Sequence, residues 1–395
     1  MMQKIKDYDY TLMIIPILLT GFGIVMIYSA SMVQAVVEGY ESNHYLMRQI
    51  QWFFISMIGF TFCCILPYKY YQKLIKIIIL IIIGLLLSVL VIGEEINNAK
   101  SWFEFGPVNL QPAEFAKLAL IMYLASVYSK KQAYINDFNR AVLPPLVLTG
   151  LILGLIVMQP DIGTAAIIFL IACSVIFSSG IRIKHLFFLV SIGLIILAIA
   201  VPNMVTETRI NRFTGAFQPF NAPDSAGYHL IQSYLAIGGG GITGEGLGQS
   251  VQKLGYLFGP HTDFIMAIIA EELGFIGVFL VIGMLATIVL RGIFIARKCN
   301  DNFGALLAIG ISFMVGIQAF INLGAISGLL PITGVTLPFV SYGGSSLLVL
   351  MISMGILNNI AKDVKKSEQE PKPVTAQTPP VRNVSNYKGG RKWSS

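Results

Sequence analysis

Charged side chains are scarce in this chain, so the few places where they gather are where chemistry is available. Asp263 stands two residues after His261 in the run Gly259-Pro260-His261-Thr262-Asp263, at the mouth of an apolar stretch that begins at Phe264. Upstream lie Arg209 and Arg212, and a glycine run from Gly238 to Gly241 that continues into Gly244, Gly246 and Gly248. Glu114 and Lys117 are three residues apart, so on a helix they share one face and can pair. Asp161 precedes Thr164 by three, and Arg48 follows His44. A partly dehydrated carboxylate can accept a proton, and nearby guanidinium or ammonium groups can offset anionic charge. General-base chemistry on an anionic substrate is therefore within reach of these residue types. Each also has a plainer reading: Thr262 or Asp263 caps a helix, Asp161 caps another, and Glu114 with Lys117 is a structural ion pair. Glu271 and Glu272 lie within an apolar stretch and need partners.

The elements that position these residues are membrane spans. Of 395 residues, 55% are hydrophobic and 12% charged, about half the charge fraction of a soluble domain. Apolar runs of about 20 residues recur along the chain, which implies an all-α polytopic membrane protein rather than a barrel. Ten spans are expected, at 11–31, 49–66, 74–92, 112–129, 142–158, 163–180, 186–201, 264–290, 303–325 and 338–360. The first is read as an uncleaved span following Lys4 and Lys6. With both termini cytoplasmic, 21 of the 27 lysines and arginines fall on the inner side, as basic residues prefer. That topology sends residues 202–263 outside, as a large extracellular loop between spans seven and eight. Residues 1–360 then form the membrane domain. Residues 361–395 form a basic cytoplasmic tail, polar enough to be disordered. The basic balance follows from topology and implies no nucleic acid.

Several motifs carry little. Cys63 and Cys64 are adjacent while Cys173 and Cys299 stand alone, with no metal spacing or disulfide framework. The glycine run lacks the Lys-Ser/Thr and strand–helix context of a phosphate loop and reads as a flexible or closely packed segment. The small residues of Ser341-Tyr342-Gly343-Gly344-Ser345-Ser346 suit close helix packing.

Together, however, these blocks resemble the SEDS family (shape, elongation, division and sporulation proteins), which polymerises peptidoglycan glycan strands. The matching stretches are Gln111-Pro112-Ala113-Glu114, Gln159-Pro160-Asp161-Ile162-Gly163-Thr164, Gln232-Ser233, Ala236-Ile237-Gly238, Gly246-Leu247-Gly248-Gln249-Ser250, His261-Thr262-Asp263-Phe264, Glu271-Glu272-Leu273-Gly274 and Leu337-Pro338-Phe339-Val340-Ser341-Tyr342-Gly343-Gly344-Ser345. They occur in family order over roughly residues 10–360. Gln252-Lys253-Leu254 and Tyr256-Leu257 look most like the cell-division (FtsW) branch. Two departures stand out: Gly259 replaces the usual acid of Leu-Pro-Glu-X before His-Thr-Asp, and Gly238 to Gly241 replaces Gly-Ser-Gly-Gly.

The resemblance implies lipid II as substrate, Asp263 as the essential acid, and a class B penicillin-binding protein transpeptidase and other divisome membrane proteins as partners. Pyrophosphate is a good leaving group, so a second, protonated carboxyl is unnecessary. Charge on the phosphates is instead offset by Arg48, Lys117, Arg209 and Arg212, or by a bound divalent cation. Glu114, Asp161 and His261 complete the expected substrate-binding set. The rival readings are a lipid II flippase, a non-catalytic scaffold for the transpeptidase, and an elongation or sporulation paralogue. A flippase needs a polar path into the inner half, whereas the charged residues crowd outward.

Overall fold

The computed structural model describes residues 7–369, except 97–98, 106–107, 136, 224, 226 and most of 183–214, where 184, 185, 187, 190, 191 and 193 are described. Among the described residues there are ten α-helices and one small sheet: α1 (Tyr10–Val37), α2 (His44–Ile65), α3 (Lys69–Ile92), β1 (Glu94–Ile96), β2 (Ala99–Phe105), β3 (Val108–Leu110), α4 (Pro112–Lys130), α5 (Leu143–Met158), α6 (Ile162–Ser178), α7 (Tyr228–Gly239), α8 (Ile265–Lys298), α9 (Asn302–Ile326) and α10 (Gly344–Gln369). Helix starts follow local chemistry. Asp9 accepts from the N–H groups of Thr11 and Leu12 at α1, Asp301 from that of Gly304 at α9, and Pro112 opens α4. Among the described residues, seven helical stretches are long and apolar enough to cross a membrane, and α6 is a shorter apolar one. The molecule is thus a mostly helical, multi-pass membrane protein.

The helices pack around α4, which is buried on almost every side from Pro112 to Tyr128. Helices α2 and α10 run parallel in contact: Gly344 lies against Trp52, and the Asn359 amide donates to Cys64 O at 2.7 Å. Helix ends sort by charge. At one end Arg291 pairs with Asp9 at 2.7 Å and Lys298 with Glu368 at 2.8 Å, while the Tyr68 hydroxyl lies 3.1 Å from Asp301 and 3.2 Å from Asp363. The expected topology puts the charged residues of this end on the inner side. The described residues among those expected to do chemistry lie at the opposite end.

Three features depart from the sequence-based expectation, and one expected span falls outside the described residues. The stretch before span four holds a three-stranded antiparallel sheet, β1-β2-β3, so the chain is not wholly helical. Span seven (186–201) lies largely outside the described residues, so nine of the ten expected spans coincide with helices. The loop 202–263 contains α7, a 12-residue helix rather than irregular backbone throughout. Helix α10 runs to Gln369, past the point at 360 where the membrane domain was expected to end, and the tail beyond it lies outside the described residues.

Helix α8 is broken. Gly274 has φ 64° and ψ −161°, a conformation open to glycine. The hydrogen bonds lost at the break are replaced by the glycine segment after α7. Glu245 and Gly246 donate to the carbonyls of Glu271 and Glu272 at 3.0 Å, and Phe275 and Ile276 donate to the carbonyls of Gly241 and Ile242 at 3.0 and 3.3 Å. A Cβ on Gly240 would lie 1.8 Å from Ala270 O. The glycine run is a close-packing element, one of the two readings its composition allowed.

Candidate active site

The His-Thr-Asp turn is held by its backbone. His261 O accepts from Tyr342 N at 2.9 Å, Thr262 O from the Ser341 hydroxyl at 2.6 Å, and Asp263 O from the Asn322 amide at 2.8 Å. Three consecutive carbonyls are thus fixed, two by the segment leading into α10 and one by α9. The N-cap of α8 is Phe264, so Asp263 sits one residue outside the helix. Its carboxylate is half-buried, with the Thr262 hydroxyl 2.9 Å from Oδ1. The carboxylate stands at the positive end of the α8 dipole.

His261 is buried against aromatic rings, with ring centroids 4.4 Å from Tyr45 and 5.5 Å from Tyr342. Burial pushes its imidazole down to about 4, so it is neutral at pH 7. Among the described residues its Nδ1 has no hydrogen-bond partner. The Tyr45 hydroxyl donates to Glu38, and Arg48 stands near enough to Tyr342 to act on it electrostatically, which brings a cation to the rim of the same aromatic cluster.

A second polar cluster lies on α4 and the turn before α6. Lys117 Nζ is 2.7 Å from Glu114 Oε1, with both groups buried, and it also donates to Gln318 Oε1 at 3.0 Å. Asp161 caps α6 through Thr164 N at 3.0 Å and accepts from the Gln111 amide at 3.0 Å. Burial raises the Asp161 carboxyl, and Glu114 and Lys117 stand near enough to act on it in opposite senses. Among the described residues, Glu114 Oε2 is buried without a hydrogen-bond partner.

The two clusters are joined by α9. Gln318 and Asn322 are four residues apart on one helix face, and both reach the 335–336 backbone: the Gln318 amide meets Thr336 O at 3.1 Å, and the Asn322 amide meets Val335 O at 2.7 Å. Gln318 bonds Lys117 while Asn322 bonds Asp263 O. These two amides escaped the sequence reading, although polar residues at that spacing inside an apolar span signal contact with another element. Ser341 escaped as well; its hydroxyl both receives Leu337 N at 2.8 Å and binds Thr262 O.

Of the expected site residues, the structure gathers Glu114, Lys117 and Asp161 in one cluster and Arg48 and His261 in another beside Asp263. Arg209 and Arg212 lie outside the described residues. Glu271 and Glu272 are structural. Glu271 accepts from Val251 N at 2.9 Å and from the Ser250 hydroxyl. Glu272 pairs with Lys253 at 2.8 Å, both fully buried, and accepts from Ser29 at 2.7 Å. Among the described residues, no group of three or more His, Cys, Asp or Glu is placed to hold a metal ion. Among the described residues, the cationic side chains beside the clusters are Lys117 and Arg48.

Residues 10–366 match the cell cycle protein family of FtsW, RodA and SpoVE. The chain is 51% identical over 380 residues, with 94% of each chain covered, to the probable peptidoglycan glycosyltransferase FtsW of Bacillus subtilis. It is 40% identical to stage V sporulation protein E of the same organism, covering 92% of this chain and 99% of that one. Among solved structures it superposes with TM-score 0.74 on a chain of a peptidoglycan synthase complex that coordinates polymerization and crosslinking, at 28% identity, covering 90% of this chain and 98% of that one. The rod shape determining protein RodA of Thermus thermophilus superposes with TM-score 0.66 at the same identity, with coverage of 90% and 97%.

Proposed function

Because the chain belongs to the FtsW/RodA/SpoVE family and is a peptidoglycan glycosyltransferase, we propose that it polymerises lipid II into glycan strands at the division septum, with Asp263 as general base. The observation that carries this is the fixing of three successive carbonyls of the His-Thr-Asp turn, which sets the Asp263 carboxylate outside the helix cap. Greater identity to FtsW than to the sporulation protein of one organism favours the division branch.

The chemistry follows from the residues. An acceptor sugar hydroxyl attacks the anomeric carbon of a lipid-linked donor. Its proton passes to the Asp263 carboxylate as the new C–O bond forms. The bond from that carbon to the pyrophosphate oxygen breaks, and its electron pair leaves on undecaprenyl pyrophosphate. Attack opposite the leaving group inverts the centre and gives a β-linked strand from an α-linked donor. Arg48 and Lys117 offset charge on the phosphates. Glu114 holds Lys117 in place, and the Gln318–Asn322 face keeps that pair in register with the base. Arg209 and Arg212 are further phosphate contacts by resemblance, and the active site faces the cell exterior.

A flippase reading is weaker. Hydroxyls deep in the helices are turned to their own backbone, as Ser312 to Ala308 O and Ser353 to Val349 O, both at 2.7 Å, instead of lining a path between the two ends. A crosslinking partner, a class B penicillin-binding protein, is supported by the likeness to the synthase complex.

The experiment is lipid II polymerisation by purified chain, alone and with such a transpeptidase added, for the native protein and Asp263→Asn. The amide cannot take the proton, so synthesis should fall by about two to four orders of magnitude, with lipid II binding and the thermal melt unchanged. Near-normal synthesis removes Asp263 from the mechanism. A rate unaffected by the transpeptidase removes the partner.

A further inference from the structure

Helix α8 changes character at its break. From Ile265 to Glu272 every residue is buried in protein, whereas Phe275, Ile276 and Phe279 are exposed, as side chains facing lipid are. The depth of that change can be measured from the charged belt at the far end. A hydrocarbon core about 30 Å thick takes about 20 helical residues at roughly 1.5 Å each. Counting back from Arg291 on α8 reaches about residue 271, and counting forward from Asp9 on α1 reaches about Ser29. Arg291 and Asp9 are paired at the belt, and Ser29 meets Glu272 at 2.7 Å. Two helices therefore mark the same level, and the Gly274 break lies just inside it.

The glycine segment is tied to α8 at that depth. Gly241 O and Ile242 O bind Phe275 and Ile276, and Glu245 N and Gly246 N bind the carbonyls of Glu271 and Glu272. Non-helical backbone is tolerated in a bilayer only where its polar groups are satisfied by protein, and here the cross-pairing satisfies them. Ile242 is 72% exposed and Leu247 56%, with Glu245 and Gln249 exposed between and beside them. Ile242, itself exposed, lies beside the lipid-facing row of Phe275, Ile276 and Phe279, its carbonyl accepting from Ile276 N.

We propose that the segment Gly238 to Gly248 is a re-entrant edge of the membrane domain, with Ile242 and Leu247 packed against the acyl chains of bilayer lipid at the site end of the helices and Glu245 and Gln249 turned to the headgroups. The partner is bilayer lipid, identified by continuity with the apolar face of α8. Single cysteines at 242, 245, 247, 225 and 279, in an otherwise cysteine-free chain in phosphatidylcholine–phosphatidylglycerol vesicles, are nitroxide-labelled and probed with oxygen and a water-soluble nickel chelate. The oxygen-to-nickel collision ratio at 242 and 247 should match Phe279→Cys and exceed Ser225→Cys several-fold, while 245 falls with 225. A ratio at 242 and 247 equal to that at 225 overturns the proposal, and so does shielding from both reagents, which signals a protein contact. A second measurement keeps the native cysteines. Leu247→Trp should add fluorescence that acyl-brominated lipid quenches, and unquenched fluorescence also refutes the assignment.

Discussion

At the scale of residues, burial decides how His261 contributes. Its imidazole takes a proton near 6.5 in the unfolded chain but only near 4 in the folded one. Between those values the unfolded state holds more protons, so stability falls as pH drops from 6.5 toward 4, by a total on the order of 3 kcal/mol. His261→Phe should flatten that part of the dependence, read as thermal melts of detergent-solubilised protein across this range. The Glu114–Lys117 pair makes a different demand. Removing one partner leaves a buried charge uncompensated, at a cost of about 3–5 kcal/mol. Glu114→Gln and Lys117→Met should each be damaging and the double variant partly rescued; strictly additive losses in a double-mutant cycle would show that the pair is not coupled. That pair was legible from its spacing of three, and Asp161 as a cap from its distance to Thr164. The amides that join the clusters were not, because Gln318 and Asn322 gain their meaning from partners some 200 and 59 positions away.

At the scale of elements, the break in α8 and the glycine segment form one joint. Gly240 and Gly238 test it as a pair. A Cβ at Gly240 would meet Ala270 O at 1.8 Å, while one at Gly238 meets nothing within 4 Å. Gly240→Ala should therefore lower the melting temperature sharply or prevent folding, and Gly238→Ala should be close to neutral or slightly stabilising. Equal melts for the two variants would mean that the joint is loose. Span positions were readable because an apolar run of membrane length has few alternatives. The sheet β1-β2-β3, helix α7 and the break were not. Two of the strands have three residues each, α7 sits in a polar interval, and a positive-φ glycine inside an apolar run leaves no mark on hydropathy.

At the scale of the whole molecule, the ends separate by charge, and this is the basis of the expected topology. A cysteine placed at Ser225 should react with an impermeant reagent added to intact cells, and one at Ser367 should not. Labelling at Ser367 would invert the orientation and put the candidate site on the wrong face. The sequence could not show which spans touch. Helices α2 and α10 run side by side although their first residues, His44 and Gly344, stand roughly 300 positions apart. At about 5–20 residues per second of synthesis, α2 waits roughly 15–60 s in the membrane before its neighbour exists. During that interval the faces of Trp52, Phe60 and Cys64 have only lipid, other spans or an insertion chaperone against them. A ribosome that stops anywhere before Gly344 releases a chain whose second span lacks its α10 partner and keeps that face open to lipid.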